Sequence, residues 1–164
     1  METIEIILLF TTFLCTMVAG LVYTFAVVVM PGIRQLNDHD FLNAFKVMDG
    51  IIQNNHPLFM IVWVGSVLTL LSLFAVSFWT LSGIELLAVC VATFLYLFGV
   101  QLPTLSINVP LNNKLQSLNL DELSQSDLNA ARNEFETTWV IWNIRRTWVS
   151  VVVALTLIAL CIQI

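Results

Sequence analysis

A chain of 164 residues that is 59% hydrophobic and only 10% charged is not an ordinary soluble domain, where about a quarter of residues are charged. A net charge of −5, with six Lys and Arg, offers no basic face for nucleic acid. Cys15, Cys90 and Cys161 lie far apart and in no CxxC-like spacing, so neither a disulfide framework nor a zinc site is indicated.

Charge is absent between Glu5 and Arg34, between Asp49 and Glu85, between Glu85 and Lys114, and beyond Arg146. Crossing the hydrocarbon takes about 20 apolar residues at roughly 1.5 Å each. The chain therefore reads as one all-α membrane domain, residues 1–164, with the lipid bilayer as its partner. Its four-helix bundle has spans at about 4–30, 57–82, 84–107 and 138–162.

The first span is not expected to be a removable signal, because its flank Met1–Glu5 is acidic and its run from Ile6 to Met30 is too long. Thr12, Thr16, Gly20, Tyr23 and Thr24 read as a close-approach face, and Pro31 as the helix end. In the connection 31–56, Asp38, His39 and Asp40 offer N-caps to an interfacial amphipathic helix. Phe41, Phe45 and Met48 share its apolar face, with Ile52 one turn on, and it should end before Asn54. Pro57 suits the start of the second span, which puts His56 at its N-terminus with Met60 and Trp63 beneath.

A minimal loop at Leu81–Glu85 leads into the third span. There Gln101, Thr104, Asn108 and Asn112, at steps of 3, 4 and 4, form a polar stripe. Pro103 and Pro110 free the carbonyls of Gly99 and Ser106, and at membrane depth these need partners. After the connection 108–137, one long helix from about Asp127 should run half in water and half in lipid.

Only 18 residues follow Arg146, about 27 Å of helix against a core of roughly 30 Å, so Arg145 and Arg146 sit at the hydrocarbon edge. Neighbours on a helix are about 100° apart, so one arginine can snorkel while the other turns inward. Arg132, Glu136, Trp139, Asn143 and Arg146 form the inward stripe, with Arg132 and Glu136 paired at i, i+4. All six Lys and Arg belong to the two long connections or the start of the fourth span. The positive-inside rule then makes 31–56 and 108–137 cytoplasmic, in a multi-pass protein of the plasma or inner membrane.

Polar groups from all four spans thus reach one membrane edge, while the opposite edge, with Thr3, Gly83 and Glu85, has no such cluster. No His/Glu spacing of a di-metal bundle occurs and no metal is assigned; the cofactor stays unknown.

The stretches "GLVYTFAVVVMPGI" (20–33), "NNHPLF", "NVPLNNKL" and the W-x-x-W-N-x-x-R-T run of Trp139–Thr147 resemble a four-helix integral membrane family that includes the anthrone oxygenases. The resemblance covers nearly the whole chain, and N-x-P-L-N followed by W-N-x-x-R-T is its more specific part. It implies a compact bundle whose site includes Asn108, Asn112, Trp142, Asn143 and Arg146. In such relatives it also implies oxidation of anthrones by molecular oxygen, although most have no assigned activity. Many relatives carry His where this chain has Ile144; if that His is the base, this chain lacks it, and His56 can replace it only by coming near in space.

Two functions are open to such a chain. The first is an oxidoreductase acting on a small, lipid-soluble aromatic ligand. Arg146 and Asn143 stabilise negative charge on its oxygen and His56 accepts a proton, while Asn108, Asn112, Trp139, Trp142, Gln101 and Tyr23 bind it. The alternative is a non-enzymatic binding or assembly component in which the same groups join helices.

Overall fold

The computed structural model describes residues 2–163. Five helices account for most of them: α1 (Thr3–Ile33), α2 (Asp38–Gln53), α3 (Pro57–Thr80), α4 (Gly83–Gln116) and α5 (Gln125–Gln163). All but α2 are long and apolar enough to cross a membrane, so this is a multi-pass membrane protein. A single 3₁₀ turn, Leu120–Glu122, interrupts the connection between α4 and α5. Gly83, at φ +56°, lets the chain reverse between α3 and α4 within two residues.

The helix starts follow capping chemistry. Asn37, not Asp38, caps α2, accepting from the Asp40 amide at 2.9 Å. The start of α5 is capped by the Ser124 hydroxyl, which accepts from the Asp127 amide at 3.3 Å. Pro57 opens α3 at the position where its missing N–H is harmless.

Pro31 does not end α1, which continues to Ile33 through a π turn at Phe25–Val29. Two further π turns, Leu95–Gln101 and Thr104–Asn108, lie in α4. They share one cause. Met30, Leu102 and Val109, each immediately before a proline, donate their amides five residues back, to Phe25, Leu97 and Thr104. The proline ring collides with the carbonyl four residues before it, and a widened turn moves that carbonyl aside without breaking the helix.

Within the bundle α1 packs on α3 and α5, and α5 packs on α4. α3 also meets α4, along its first part (Gly83–Phe94) near the short loop. The core draws on every span, for example Leu8, Cys15, Leu73, Val89, Tyr96 and Leu157. The buried face of α1 is Leu8, Thr11, Thr12, Cys15, Val18 and Val22, with the Thr12 hydroxyl 3.3 Å from Cys161 Sγ of α5, whereas Thr16, Gly20, Tyr23 and Thr24 face outward. That corrects the expected close-approach face at all of its positions but Thr12. A threonine hydroxyl can satisfy itself on its own helix, as Thr24 does on the Gly20 carbonyl at 2.8 Å, and so needs no neighbouring helix.

A second core lies beyond the spans. There α2 folds back against the end of α4 and the first turns of α5, burying Phe41, Leu42 and Phe45 with Phe135 and Trp139. Arg132 fastens this layer: it pairs with Glu136 at 2.9 Å and with Asp38 at 3.1 Å, and donates to the carbonyls of Leu36 and Arg34. At the surface His39 bridges Asp40 (3.2 Å) and Asp121 (3.3 Å). Hydrogen bonds and charge from both carboxylates, Asp40 first, raise the imidazole's pKa above its usual value. That of Asp40 falls, chiefly through the His39 bond.

Candidate functional site

The site begins with two adjacent arginines that part company. Arg145 is exposed, its guanidinium 4.7 Å over the Trp142 ring, while Arg146 is turned inward and buried. In the hydrocarbon an unpartnered guanidinium is costly, and Arg146 has hydrogen-bond acceptors rather than an acid. Its Nε and Nη2 donate to Asn143 Oδ1 at 3.2 and 3.0 Å, and its Nη1 donates to Thr104 Oγ1 at 2.9 Å. Thr104 can accept because its own hydrogen goes to the Val100 carbonyl at 2.7 Å. Three of the five guanidinium N–H bonds are thus used and two remain.

Asn143 is held in turn by α1, where its Nδ2 donates to the Val22 carbonyl at 3.1 Å, just before the π turn. Asn108, the last residue of the third π turn, donates to the Trp139 carbonyl at 3.3 Å; its buried Oδ1 has no partner. One turn on, Asn112 Oδ1 accepts from Trp139 Nε1 at 2.8 Å while its Nδ2 donates to Asp49 Oδ1 at 2.8 Å. Asp49 Oδ2 accepts from Gln116 Nε2 at 2.9 Å and Gln53 Nε2 at 3.3 Å. The Arg146 guanidinium lies 5.4 Å over the Trp139 ring, so indole and amide connect the buried cation to the buried carboxylate.

Of these groups Asp49, Thr104, Asn108, Asn112, Asn143 and Arg146, with the Trp139 ring, line a cavity of about 370 Å³, within the range of small-molecule sites. It occupies the space between the start of α3 and the later turns of α4, away from the stretch where the two helices touch. Phe25, Phe45, Phe59, Met60 and Trp63 supply apolar wall. The exposed Leu105 stands on its lipid side and the exposed Asn55 at its aqueous end. Among the lining residues Asp49 is the only acid and Arg146 the only cation.

Of the residues singled out in the sequence, Asn108, Asn112, Trp139, Asn143 and Arg146 meet at this cavity. The other four do not. His56 is exposed as the N-cap of α3, outside the lining, and Tyr23 is exposed on the outer face of α1. Trp142 lies under Arg145, and Gln101 is buried in the bundle with its Nε2 unpartnered. The π turns account for Gln101: a widened turn rotates the helix beyond it, so four residues on one ideal α-helical stripe do not stay on one face.

Sequence reasoning missed Asp49 and the partnering role of Thr104. Asp49 had a visible signal, since it follows Phe41 and Phe45 at i+4 steps and so places an acid on the apolar face of α2. Ile144 is exposed, away from the cavity, so a histidine at that position of this chain would lie outside the lining too. Among the described residues no group of three or more His, Cys, Asp or Glu is arranged to hold a metal ion.

Comparison with known proteins bears on these groups. No curated protein and no solved structure matches the chain. The family model of the anthrone oxygenases matches residues 48–156, which include Asp49, Asn108, Asn112, Trp139, Asn143 and Arg146. That match takes in most of the sequence, and the chain belongs to the anthrone oxygenase family.

Proposed function

We propose that the cavity binds a small, lipid-soluble aromatic ketone of the anthrone type and that the protein oxidises it with molecular oxygen. In that reaction one ring carbon loses two hydrogens and gains one oxygen atom, and the second oxygen atom of O₂ leaves as water. The carrying observation is Arg146, a buried guanidinium with no acid partner and two N–H bonds to spare beside an apolar-walled cavity. A ketone oxygen accepting from it gains negative charge when the ring carbon is deprotonated. Donors already fixed in place by Asn143 and Thr104 stabilise that charge without reorganising.

Asn108 supports ligand binding by a different route, since its unpartnered Oδ1 is an acceptor for a ring hydroxyl. The proposed orientation puts the connections 31–56 and 108–137 in the cytoplasm, in the plasma or inner membrane, because every Lys and Arg belongs to that end.

The test is aerobic turnover of anthrone by protein in detergent, followed by quinone absorbance. Arg146→Ala should lower the rate about 10²–10³-fold, the scale of losing one oxyanion donor. An undiminished rate sinks the reading.

A second reading has an observation of its own. The bonds that Asn143, Asn108 and Arg146 do make run to one another, to Thr104 and to the backbone of neighbouring helices, as those of helix-joining polar groups do. If Asn112→Ala and Arg146→Ala both abolish cooperative melting, a binding or assembly component is favoured. A stable bundle that no longer binds anthraquinone counts against it.

A further inference from the structure

We infer that Asp49 is the proton acceptor of this cavity, and that its ligands carry an acidic C–H or O–H at one end and a carbonyl or phenolate oxygen at the other. The inference deepens the oxidoreductase reading and rests on it. Asp49 is only 3% exposed and pairs with no cation among the described residues. Its oxygens accept three amide hydrogen bonds, two at Oδ2 and one at Oδ1. A carboxylate has about four acceptor sites, so one site stays open on Oδ1.

Purely structural use of Asp49, tying α2 to the end of α4, leaves two features unexplained. One is its place in the wall of the same cavity as a buried cation that also has no acid paired with it among the described residues. The other is Asn112, which stands between the two poles, donating to the carboxylate and accepting from the Trp139 indole. An ion pair would have cancelled both charges. Held apart, they polarise whatever lies between them.

The chemistry balances at this geometry. A ring C–H bond of the ketone breaks, its proton goes to Asp49 Oδ1, and its electron pair moves through the ring to the oxygen beside Arg146. The enolate carbon then reacts with O₂. Gln53, which donates to Asp49 Oδ2 at 3.3 Å, is itself exposed, so water lies within one side chain of the carboxyl that must later release the proton. His56 has no place in this step, being outside the wall.

Deprotonation can be read without oxidation. Under argon in D₂O, protein in detergent is given anthrone and deuterium entering the methylene is followed by proton NMR. The wild type should exceed protein-free buffer, and Asp49→Asn should lose about 100-fold or more of that excess. Anthraquinone binding, read by tryptophan quenching, should be kept. Exchange as fast in Asp49→Asn as in wild type overturns the inference, and so does a wild type no faster than buffer.

If Asp49→Asn does not melt cooperatively, Asp49→Glu replaces it. There a changed rate at unchanged affinity supports the role, and an unchanged rate overturns it. Aerobic turnover without Asp49-dependent exchange removes the proton acceptor and leaves the oxidoreductase. Asp49-dependent exchange without turnover does the reverse.

Discussion

A buried Arg146 is tolerated because Asn143 and Thr104 are aimed at it, so each should be costly to remove even though neither is charged. Asn143→Ala deletes an acceptor of two guanidinium bonds and also the tie to the Val22 carbonyl. It should cost about 2–3 kcal/mol, the range for bonds to charged groups, measured by reversible unfolding in mixed micelles. Thr104→Ser, which keeps the hydroxyl, should cost less than Thr104→Val. His39 gives a residue-scale effect of the opposite kind, exposed and pH-dependent. Its folded pKa is raised, so its contribution is complete below the unfolded value of about 6.5 and disappears as pH rises through the folded value. His39→Gln should therefore destabilise at pH about 5.5 and be neutral near pH 9, read as the gap between melting temperatures.

Each element's shape is set by a few interruptions. Three X-Pro steps produce three π turns, and two of these present Thr104 and Asn108 to the cavity or stand beside Val22, the anchor of Asn143. Between the other π turn of α4 and α5 the backbones come close: a methyl group on Gly99 would lie 2.7 Å from Val149 Cγ1. Gly99→Ala should thus push α4 off α5 next to the site and cost about 1–3 kcal/mol, as overpacking does. Gly20→Ala is the matched control, since nothing lies within 4 Å of its added methyl, and it should leave the melting temperature unchanged or slightly raised. α2 behaves differently from the spans. Its amphipathic face lays Phe45, Asp49 and Ile52 along the cavity wall, so a helix not long and apolar enough to cross a membrane completes the site.

The whole molecule is two cores stacked along one long helix. α5 runs through both, and its inward stripe changes character along the way, from the Arg132–Glu136 ion pair through Trp139 to Asn143 and Arg146. The cavity sits at the junction, where apolar walls meet polar groups that the water-side core holds in place. With the proposed orientation, Ser126→Cys should be protected from a membrane-impermeant maleimide in intact cells, and Ser82→Cys, in the short loop, should react. The reverse pattern would invert the assignment.

The sequence by itself determined the four spans, the separate amphipathic helix, the long last helix and the opposite fates of Arg145 and Arg146. Each of these follows from a local quantity: a run of apolar residues long enough for the bilayer, a 3.6-residue period, or the angle between neighbours on a helix. It also placed Asn108, Asn112, Trp139, Asn143 and Arg146 at one membrane edge, and the structure brings those five to one cavity. Only the tertiary structure decided which polar groups stay out of it. Gln101 leaves the wall because π turns rotate a stripe that an ideal helix would align, Tyr23 and Trp142 because each sits about 100° round its helix from lining Val22 and Asn143, and His56 because it is the exposed N-cap of α3. The same holds for Asp49. Its neighbours Asn112 and Gln116 lie more than sixty residues away, and a contact between distant segments follows from how the helices pack, not from any period along one of them.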